Sequence, residues 1–164
     1  MVLHDSGERR EFSTGAVRDA SYGKGRCDLL PLVEIAYMPN AGKLVQSVLT
    51  NIDLFLSTGN THFIYKAIDA FILERYNGCH PTAILDVAKQ FEDGAIKYGD
   101  YNWQKGIDAH CYIDSGVRHF LKWCRGDDDE PHDRAFLWNM FCLLWTISNR
   151  PEVNDLPYNT KVSG

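Results

Sequence analysis

Two stretches of the chain place acidic, cationic and imidazole side chains close together along predicted helices. In one of them, Asp114 and Arg118 stand four residues apart and His119 follows directly. An acid, a permanent cation and a titratable imidazole on one helix suit phosphoester chemistry, which needs proton transfer and neutralisation of phosphate charge. In the other, Glu92 lies on the shoulder of a predicted apolar stripe, which predicts that it faces inward, whereas Asp93 falls on the solvated face.

A dense run of acids precedes the last predicted helix. Residues 127–130 are all acidic, and Pro131, His132 and Asp133 follow, with Asn139 on the same helical face as His132. Two interpretations remain open. The acids either form a solvated loop at the positive end of the helix dipole, or they collect hard oxygen ligands for Mg²⁺ or Mn²⁺. No spacing suits zinc, because paired cysteines and the H-E-x-x-H pattern are both missing.

The N-terminal 30 residues concentrate positive charge between glycines. Flexible backbone carrying several cations can wrap a phosphate group, so this arm is a candidate phosphate-binding segment. The cations are Arg9, Arg10, Arg18, Lys24 and Arg26.

A loop at residues 97–106 combines aromatic, amide and lysine side chains between predicted helices. Tyr101 or Trp103 could stack on a nucleobase while Asn102 reads its edge, and Lys97 adds a cation. The alternative is a packed lid without a ligand.

Length and composition bound the fold. The chain has 164 residues, of which 45% are hydrophobic and 24% charged, as expected for one folded domain. Its net charge of −5 argues against long nucleic acid as a partner. Five cysteines without a C-x-x-C pair, together with the lack of a signal-like or membrane-spanning apolar run, predict a cytoplasmic protein with no membrane partner.

Apolar residues recur three and four positions apart from Leu29 onward, which predicts helices. The predicted segments are 30–37, 43–57, 61–77, 82–98, 109–125 and 132–148. No alternating strand of useful length is found. We therefore predict an all-α, single-domain helical bundle over residues 1–164, with an extended N-terminal arm at 1–30 and a non-helical tail from Asn149. Within it, 40–80 is an inserted helical pair and 82–148 holds the core helices with the site.

Three stretches, 10–32, 91–107 and 112–146, closely resemble the dATP/dGTP diphosphohydrolases of phages and prophages. The phrases F-S-T-G-A-V-R-D and K-Y-G-D-x-N-W are the specific ones. These enzymes look like distant members of the all-helical MazG-type nucleotide pyrophosphohydrolases. The resemblance implies that a nucleoside triphosphate, with dATP or dGTP favoured, is cleaved to its monophosphate and pyrophosphate with Mg²⁺ or Mn²⁺. It also implies a phage or prophage enzyme in a bacterial cytoplasm.

The resemblance assigns roles to particular residues. Glu92 and Asp93 fall in the first acidic motif, and Glu130 and Asp133 resemble a later E-x-x-D pair. The first motif departs from E-E-x-x-E, because Ile96 stands at its third acid. Asp114, His132 or Asp100 could supply the missing ligand. The expected metal ligands are Glu92, Asp93, Asp114, Glu130, His132 and Asp133, and the expected catalytic residues are Glu92, Asp93 and His119.

The remaining expectations concern substrate, assembly and alternatives. The expected substrate-binding residues are Arg18, Lys24, Arg26, Lys97, Asn102, Trp103, Arg118 and Asn139. By resemblance, a homodimer or homotetramer is expected. Two other functions stay open. His132 and Asp133, with His110 or His119, could form an HD-type phosphohydrolase, or the incomplete acidic set could leave a nucleotide-binding protein without catalysis.

Overall fold

The computed structural model describes residues 7–160 of the chain, Thr160 by its backbone alone. Helices dominate this part of the chain, which confirms the all-α prediction. The α-helices are α1 (Leu32–Ala36), α2 (Lys43–Thr58), α3 (His62–Tyr76), α4 (His80–Tyr98), α5 (Ala109–Arg125), α6 (His132–Asn149) and α7 (Pro157–Thr160). Single turns of 3-10 helix occur at Cys27–Leu29, Asn102–Lys105 and Pro151–Val153.

All the predicted helices are present, and local signals explain where they begin and end. Gly59 has φ +74° and ends α2 in the left-handed conformation that glycine adopts easily. Asn60 Oδ1 then accepts a hydrogen bond of 3.0 Å from the His62 backbone N–H, which caps the start of α3. Pro131 directly precedes α6. None of the described helices is both long and apolar enough to cross a bilayer.

The core lies where α3, α5 and α6 meet. The Phe71 ring of α3 contacts Phe120 of α5 and Phe136 of α6 edge-on, with ring centroids 6.1 and 4.9 Å apart. Gly116 lets α5 approach α6 closely, since a Cβ there would stand 2.6 Å from Met140 Cε. This tight pair contributes six side chains to the wall of the candidate site, namely Ser115, Arg118, His119, Lys122, Trp138 and Asn139.

The N-terminal segment corrects the prediction of an extended arm. Residues 1–6 lie outside the described part, but β1 (Arg9–Glu11) and β2 (Val17–Asp19) form an antiparallel hairpin with Arg10 opposite Arg18. Phe12 and Ala16, on either side of the turn, are buried at 7% and 0% exposure. Burial of these two apolar residues ties the hairpin to the helices, so its cations hold fixed positions.

The C-terminal segment is also more regular than predicted. Instead of a non-helical tail, it has the 3-10 turn at Pro151–Val153 and the single turn of α7. Leu156 is buried, and the Tyr158 ring meets Phe55 of α2 edge-on at 5.4 Å between centroids. These apolar contacts hold residues 151–159 against α2.

Helix α4 buries a different face from the predicted one. Ala83, Val87 and Gln90 are buried, whereas Ile84 is 57% exposed and Glu92 is exposed. The prediction that Glu92 faces inward is therefore wrong. The helix carries apolar residues on two faces, and the face with the smaller residues lies against α3 and α6.

Candidate functional site

One cavity collects side chains from the hairpin, the second half of α4, the Asn102–Lys105 turn, α5 and the start of α6. We call it the nucleotide cavity. The predicted site residues that line it are Arg18, Lys24, Lys97, Asn102, Trp103, Arg118, His119, Glu130 and Asn139. The structure thus brings together groups from the three stretches of sequence singled out above.

One part of the nucleotide cavity is aromatic. Phe91 meets Trp103 at 5.5 Å and Trp138 at 6.0 Å between ring centroids, and all three rings line the cavity. Gly94 and Ala95 of α4 also line the cavity, and neither has a side chain larger than a methyl group. Flat rings beside small residues can hold a flat aromatic ligand such as a nucleobase.

Asn102 has a structural task that the sequence did not reveal. Its side-chain Nδ2 donates to the Val17 carbonyl at 2.7 Å, and its Oδ1 accepts from the Val17 N–H at 2.9 Å. Both faces of the amide are therefore bound to the backbone of β2. Asn102 braces the hairpin at the cavity wall, so the prediction that it reads a base edge is wrong.

Arg18 is held in the cavity wall by polar and aromatic contacts. Its Nη2 donates to Ser115 Oγ at 3.0 Å and Asn139 Oδ1 at 3.4 Å, and its guanidinium lies over the Tyr112 and Trp138 rings. Its Nη1 is buried and has no hydrogen-bond partner within the described residues. A buried N–H that lacks an acceptor is costly, so this group suits an anionic ligand.

Further cations lie where the nucleotide cavity meets a neighbouring one. Lys24, Arg118 and Lys122 line both, and Arg125 lines the neighbouring cavity. Arg118 is fixed by Nη2 hydrogen bonds of 2.6 Å to Asp114 Oδ1 and to the Gly25 carbonyl. These cations can bind phosphate groups and neutralise their negative charge.

His119, Glu130 and His132 form the cluster most suited to a metal ion. Their ligand atoms all lie within 4.8 Å of one another. His132 Nε2 lies 2.7 Å from Asp129 Oδ1, and its Nδ1 lies 2.9 Å from His119 Nδ1. Because an ionised carboxylate only accepts, the Nε2–H of His132 donates to Asp129, and Nδ1 is the ring nitrogen that faces His119.

The geometry of the two histidines fits a shared metal ion. Two nitrogens that bind one ion at about 2.1 Å with a right angle between them stand about 3 Å apart, close to the separation of the two Nδ1 atoms. Burial and the neighbouring His132 lower the pKa of His119 to about 3, so the imidazole is neutral, as a metal ligand must be. The Asp129–His132 contact matches the carboxylate–histidine arrangement found around metal ions.

The family model for the N-terminal region of dATP/dGTP diphosphohydrolases matches residues 65–156. This is more than half of the chain, and it includes α4, α5 and α6. The chain belongs to the dATP/dGTP diphosphohydrolase N-terminal family. No curated protein and no solved structure matches it.

In this dATP/dGTP diphosphohydrolase-family chain, several predicted ligands are occupied by other contacts. Asp93 pairs with Arg134 Nη2 at 2.6 Å, and Asp133 pairs with Arg75 Nε at 2.9 Å. Asp133 therefore lies away from His132, although the two are adjacent in sequence. Because Asp133 is bound to Arg75, it is not paired with Glu130 in the expected E-x-x-D pair or with His132 in the HD dyad.

Asp114, Arg26 and Glu92 also lie outside the metal cluster. Asp114 Oδ1 accepts from the Cys27 N–H at 2.7 Å as well as from Arg118, so it fixes the loop before the Cys27–Leu29 turn. Arg26 pairs with Asp28 at 2.7 Å and lines a different cavity. Asp100 is exposed, as Glu92 is.

Sequence reasoning missed Trp138, Lys122 and Ser115, which all line the nucleotide cavity. Lys122 follows Arg118 by four residues, so helical spacing could have indicated it. No local pattern indicates Trp138 or Ser115, because their cavity neighbours come from distant parts of the chain.

Proposed function

We propose that this protein hydrolyses a purine deoxynucleoside triphosphate, dATP or dGTP, between the α and β phosphates. The products are the monophosphate and pyrophosphate. The family match supports the substrate class. The observation that carries the proposal is a single cavity lined by aromatic rings, by several cations, and by His119 and Glu130 of the His119–Glu130–His132 cluster.

In the proposed complex, the base lies among Phe91, Trp103 and Trp138. The phosphates extend toward Lys24, Arg118 and Lys122, where the nucleotide cavity meets the neighbouring cavity that Arg125 also lines. This placement directs the leaving pyrophosphate toward cations, which neutralise the charge that develops on it. Lys97 contributes less, because Asp19 already holds its ammonium group at 2.8 Å.

The metal ligands in this proposal are His119, Glu130 and His132. A bound divalent ion supplies an activated water molecule and neutralises phosphate charge. Asp129 accepts the Nε2–H of His132 and so orients its ring. Because imidazole is a poor ligand for Mg²⁺ and carboxylate suits both ions, two histidines with one carboxylate favour Mn²⁺ over Mg²⁺.

An HD-type phosphohydrolase that releases tripolyphosphate remains the second candidate, because two histidines share the cluster. Its defining dyad is not assembled, since Asp133 is bound to Arg75. We therefore favour the pyrophosphohydrolase.

We also propose that the protein is a homo-oligomer in a bacterial cytoplasm. Ile84, Leu85 and Ile96 of α4 are 57%, 71% and 79% exposed, and Leu73 of α3 is 67% exposed. An apolar stripe of this kind is typical of a surface that a second copy covers. The five cysteines carry no disulfide, which fits a reducing compartment.

Product analysis tests the proposed function. The protein is incubated with each of the four deoxynucleoside triphosphates and either Mn²⁺ or Mg²⁺, and the released phosphates are identified. We expect pyrophosphate and monophosphate from dATP or dGTP, faster with Mn²⁺. Tripolyphosphate would instead identify an HD-type reaction, and tight binding without products would identify a nucleotide-binding protein.

A further inference from the structure

A second cavity lies beside the nucleotide cavity and is lined on one side by the loop at 20–26. It encloses about 790 Å³, against about 230 Å³ for the nucleotide cavity. Its walls also come from the hairpin and from the first two turns of α5. Arg18, Asp19, Ser21 and Ser115 line both cavities, so these residues form the partition between them.

The walls of this second cavity are strongly cationic. The cations that line it are Arg9, Arg10, Arg18, Arg26 and His110. The two acids in its lining, Asp19 and Asp114, are both bound by cations, Asp19 by Arg9 and Lys97 and Asp114 by Arg118. Positive charge therefore exceeds negative charge around the cavity, although the whole chain is acidic.

The cations of this wall differ in how firmly their own partners hold them. Arg10 reaches Asp108 only at 3.8 Å and its side chain is 42% exposed, so this pair is weak. Arg9 lies 3.1 Å from Asp19, and Arg26 donates two hydrogen bonds, of 2.8 and 2.7 Å, to Asp28 of the Cys27–Leu29 turn. The hydrogen bond to Asp155 raises the pKa of His110 to about 10, which keeps the ring charged at neutral pH. Among these four, Arg10 is therefore the cation most available to a ligand.

Arg18 supplies an independent reason to expect an anion. Its buried Nη1 has no acceptor among the described residues, while Nη2 is used by Ser115 and Asn139. Arg18 belongs to the partition, so an anion on either side can supply the missing acceptor. Gly23 and Gly25, with φ of +82° and +89°, add side-chain-free backbone that a phosphate group can approach closely.

We propose that this second cavity binds a small oligophosphate, with inorganic pyrophosphate as its simplest member, separately from the nucleotide cavity. Several guanidinium groups around one space match the spread negative charge of linked phosphates better than that of a single carboxylate. The proposed ligand is a free oligophosphate, and the experiment below distinguishes it from the phosphate tail of a nucleotide bound in the nucleotide cavity.

Cys111 provides a reporter inside this cavity. It lines the wall, and its Sγ lies 3.6 Å from Arg10 Nη1 and from His110 Nε2. The full chain is first saturated with Mn²⁺ and a non-hydrolysable dGTP analogue, and pyrophosphate is then added. Alkylation of each cysteine is followed by peptide mass spectrometry. With pyrophosphate at ten times its dissociation constant, we expect Cys111 to react about tenfold more slowly while exposed Cys124 is unchanged.

Variants show whether the protection arises at this site. Arg10→Gln should reduce the protection factor of Cys111, whereas Lys43→Gln, which removes the same charge at the start of α2, should not. Arg26→Gln serves as a second variant if Arg10→Gln fails to fold, as judged by circular dichroism. Protection factors compare each variant with and without pyrophosphate, which cancels any change in the intrinsic reactivity of the thiol.

Three results would overturn the proposal. Protection by the dGTP analogue alone would mean that the substrate's own tail fills the second cavity. Protection by pyrophosphate that disappears once the analogue is bound would place pyrophosphate in the nucleotide cavity only. Equal protection in Arg10→Gln and Lys43→Gln would remove the arginines from the binding site. Each readout is independent of turnover, so an inactive enzyme does not affect the conclusion.

Discussion

His132 combines complete burial with polar partners on both ring nitrogens, Asp129 on one side and His119 on the other. Such a ring cannot rotate without breaking a hydrogen bond, so its Nδ1 points in a fixed direction. Fixed ligands lower the cost of binding a metal ion, because little ordering is left to be done.

Glu130 is the residue whose substitution tests the metal cluster most directly. Glu130→Gln keeps the size of the side chain but removes the negative charge, so we expect kcat to fall about 100-fold or more and Mn²⁺ affinity to weaken. Steady-state kinetics across a Mn²⁺ titration measures both. Asp128→Asn is the matched control, because Asp128 is exposed in the same acidic run and outside the cluster. Equal losses in both variants would show a general charge effect.

The type of residue at position 102 indicated a polar role near the site, but the partner of its side chain could not be predicted from the sequence. Its amide binds the Val17 backbone 85 positions away, and no local pattern encodes that partner. The same limit applies to Asp133. It is adjacent to His132 in the sequence, but in the folded chain it pairs with Arg75. Residue types thus indicated phosphate chemistry, whereas the pairing of each acid depended on tertiary contacts.

For Asn102→Ala we expect lower stability and an unchanged ratio of dATP to dGTP turnover. Removal of the amide breaks two hydrogen bonds to the half-buried Val17 backbone, each worth about 0.5–1.5 kcal/mol. Urea denaturation measures the first quantity and competition between the two substrates measures the second. A changed substrate ratio at unchanged stability would return Asn102 to base recognition.

At the level of elements, α4 shows why helical spacing predicts a helix more reliably than its buried face. Its existence and C-terminal end were predicted correctly, but its orientation was wrong. Ala83 and Val87 on one side compete with Ile84 and Leu85 on the other. The larger apolar residues suggested the wrong face, because the contact with α3 and α6 uses the smaller ones.

Gly94 of α4 lines the nucleotide cavity with backbone alone, and a Cβ added there would have no heavy atom within 4 Å. Gly94→Leu should therefore fold well, since leucine favours helix over glycine by up to about 1 kcal/mol. Its longer side chain enters the cavity, and we expect KM to rise about tenfold, equivalent to about 1.4 kcal/mol. Kinetics and a thermal melt measure the two effects. Gly94→Ala, with only a methyl group, should change KM much less; an unchanged KM in the leucine variant would place the substrate elsewhere.

The contact between His110 and Asp155 joins the first turn of α5 to the segment before α7 and predicts pH-dependent stability. The hydrogen bond to Asp155 raises the pKa of His110 from 6.5 to about 10. Because the folded pKa is the higher one, the stabilisation is complete below about pH 6.5, declines as the pH rises and is lost above about pH 10. Urea midpoints at several pH values measure this decline. His110→Gln should flatten that part of the profile, and a profile identical to the wild type would assign the decline to other groups.

At the level of the whole molecule, the exposed stripe on α4 determines the expected assembly. Leu85 is 71% exposed, and contact with a second copy would remove this apolar side chain from water. Leu85→Glu should therefore weaken self-association at least about tenfold, equivalent to about 1.4 kcal/mol. Light scattering coupled to size-exclusion chromatography measures the change. Lys43→Gln, at the exposed start of α2, lowers the net charge by the same one unit and serves as the control. Equal mass distributions for wild type and Leu85→Glu would place the interface elsewhere.

The overall architecture was more predictable than the site. Apolar spacing located each long helix within a few residues, since burying an amphipathic face determines where a helix can persist. The hairpin escaped notice because its strands have three residues each, too few for an alternating pattern. Its role in the cavity depends on Phe12 and Ala16 finding a place in the core, which only the folded chain reveals.

The ring of Tyr158 lies so close to Gly59 that a Cβ on residue 59 would stand 2.7 Å from it. Residues 151–159 thus cover the corner where α2 passes into α3, yet they are synthesised long after both helices. On the ribosome, the early helices emerge while this cover is still missing, and the edge of Phe55 stays open to water until translation has passed residue 158. Closure of this corner therefore follows the synthesis of α2 and α3 by about a hundred residues.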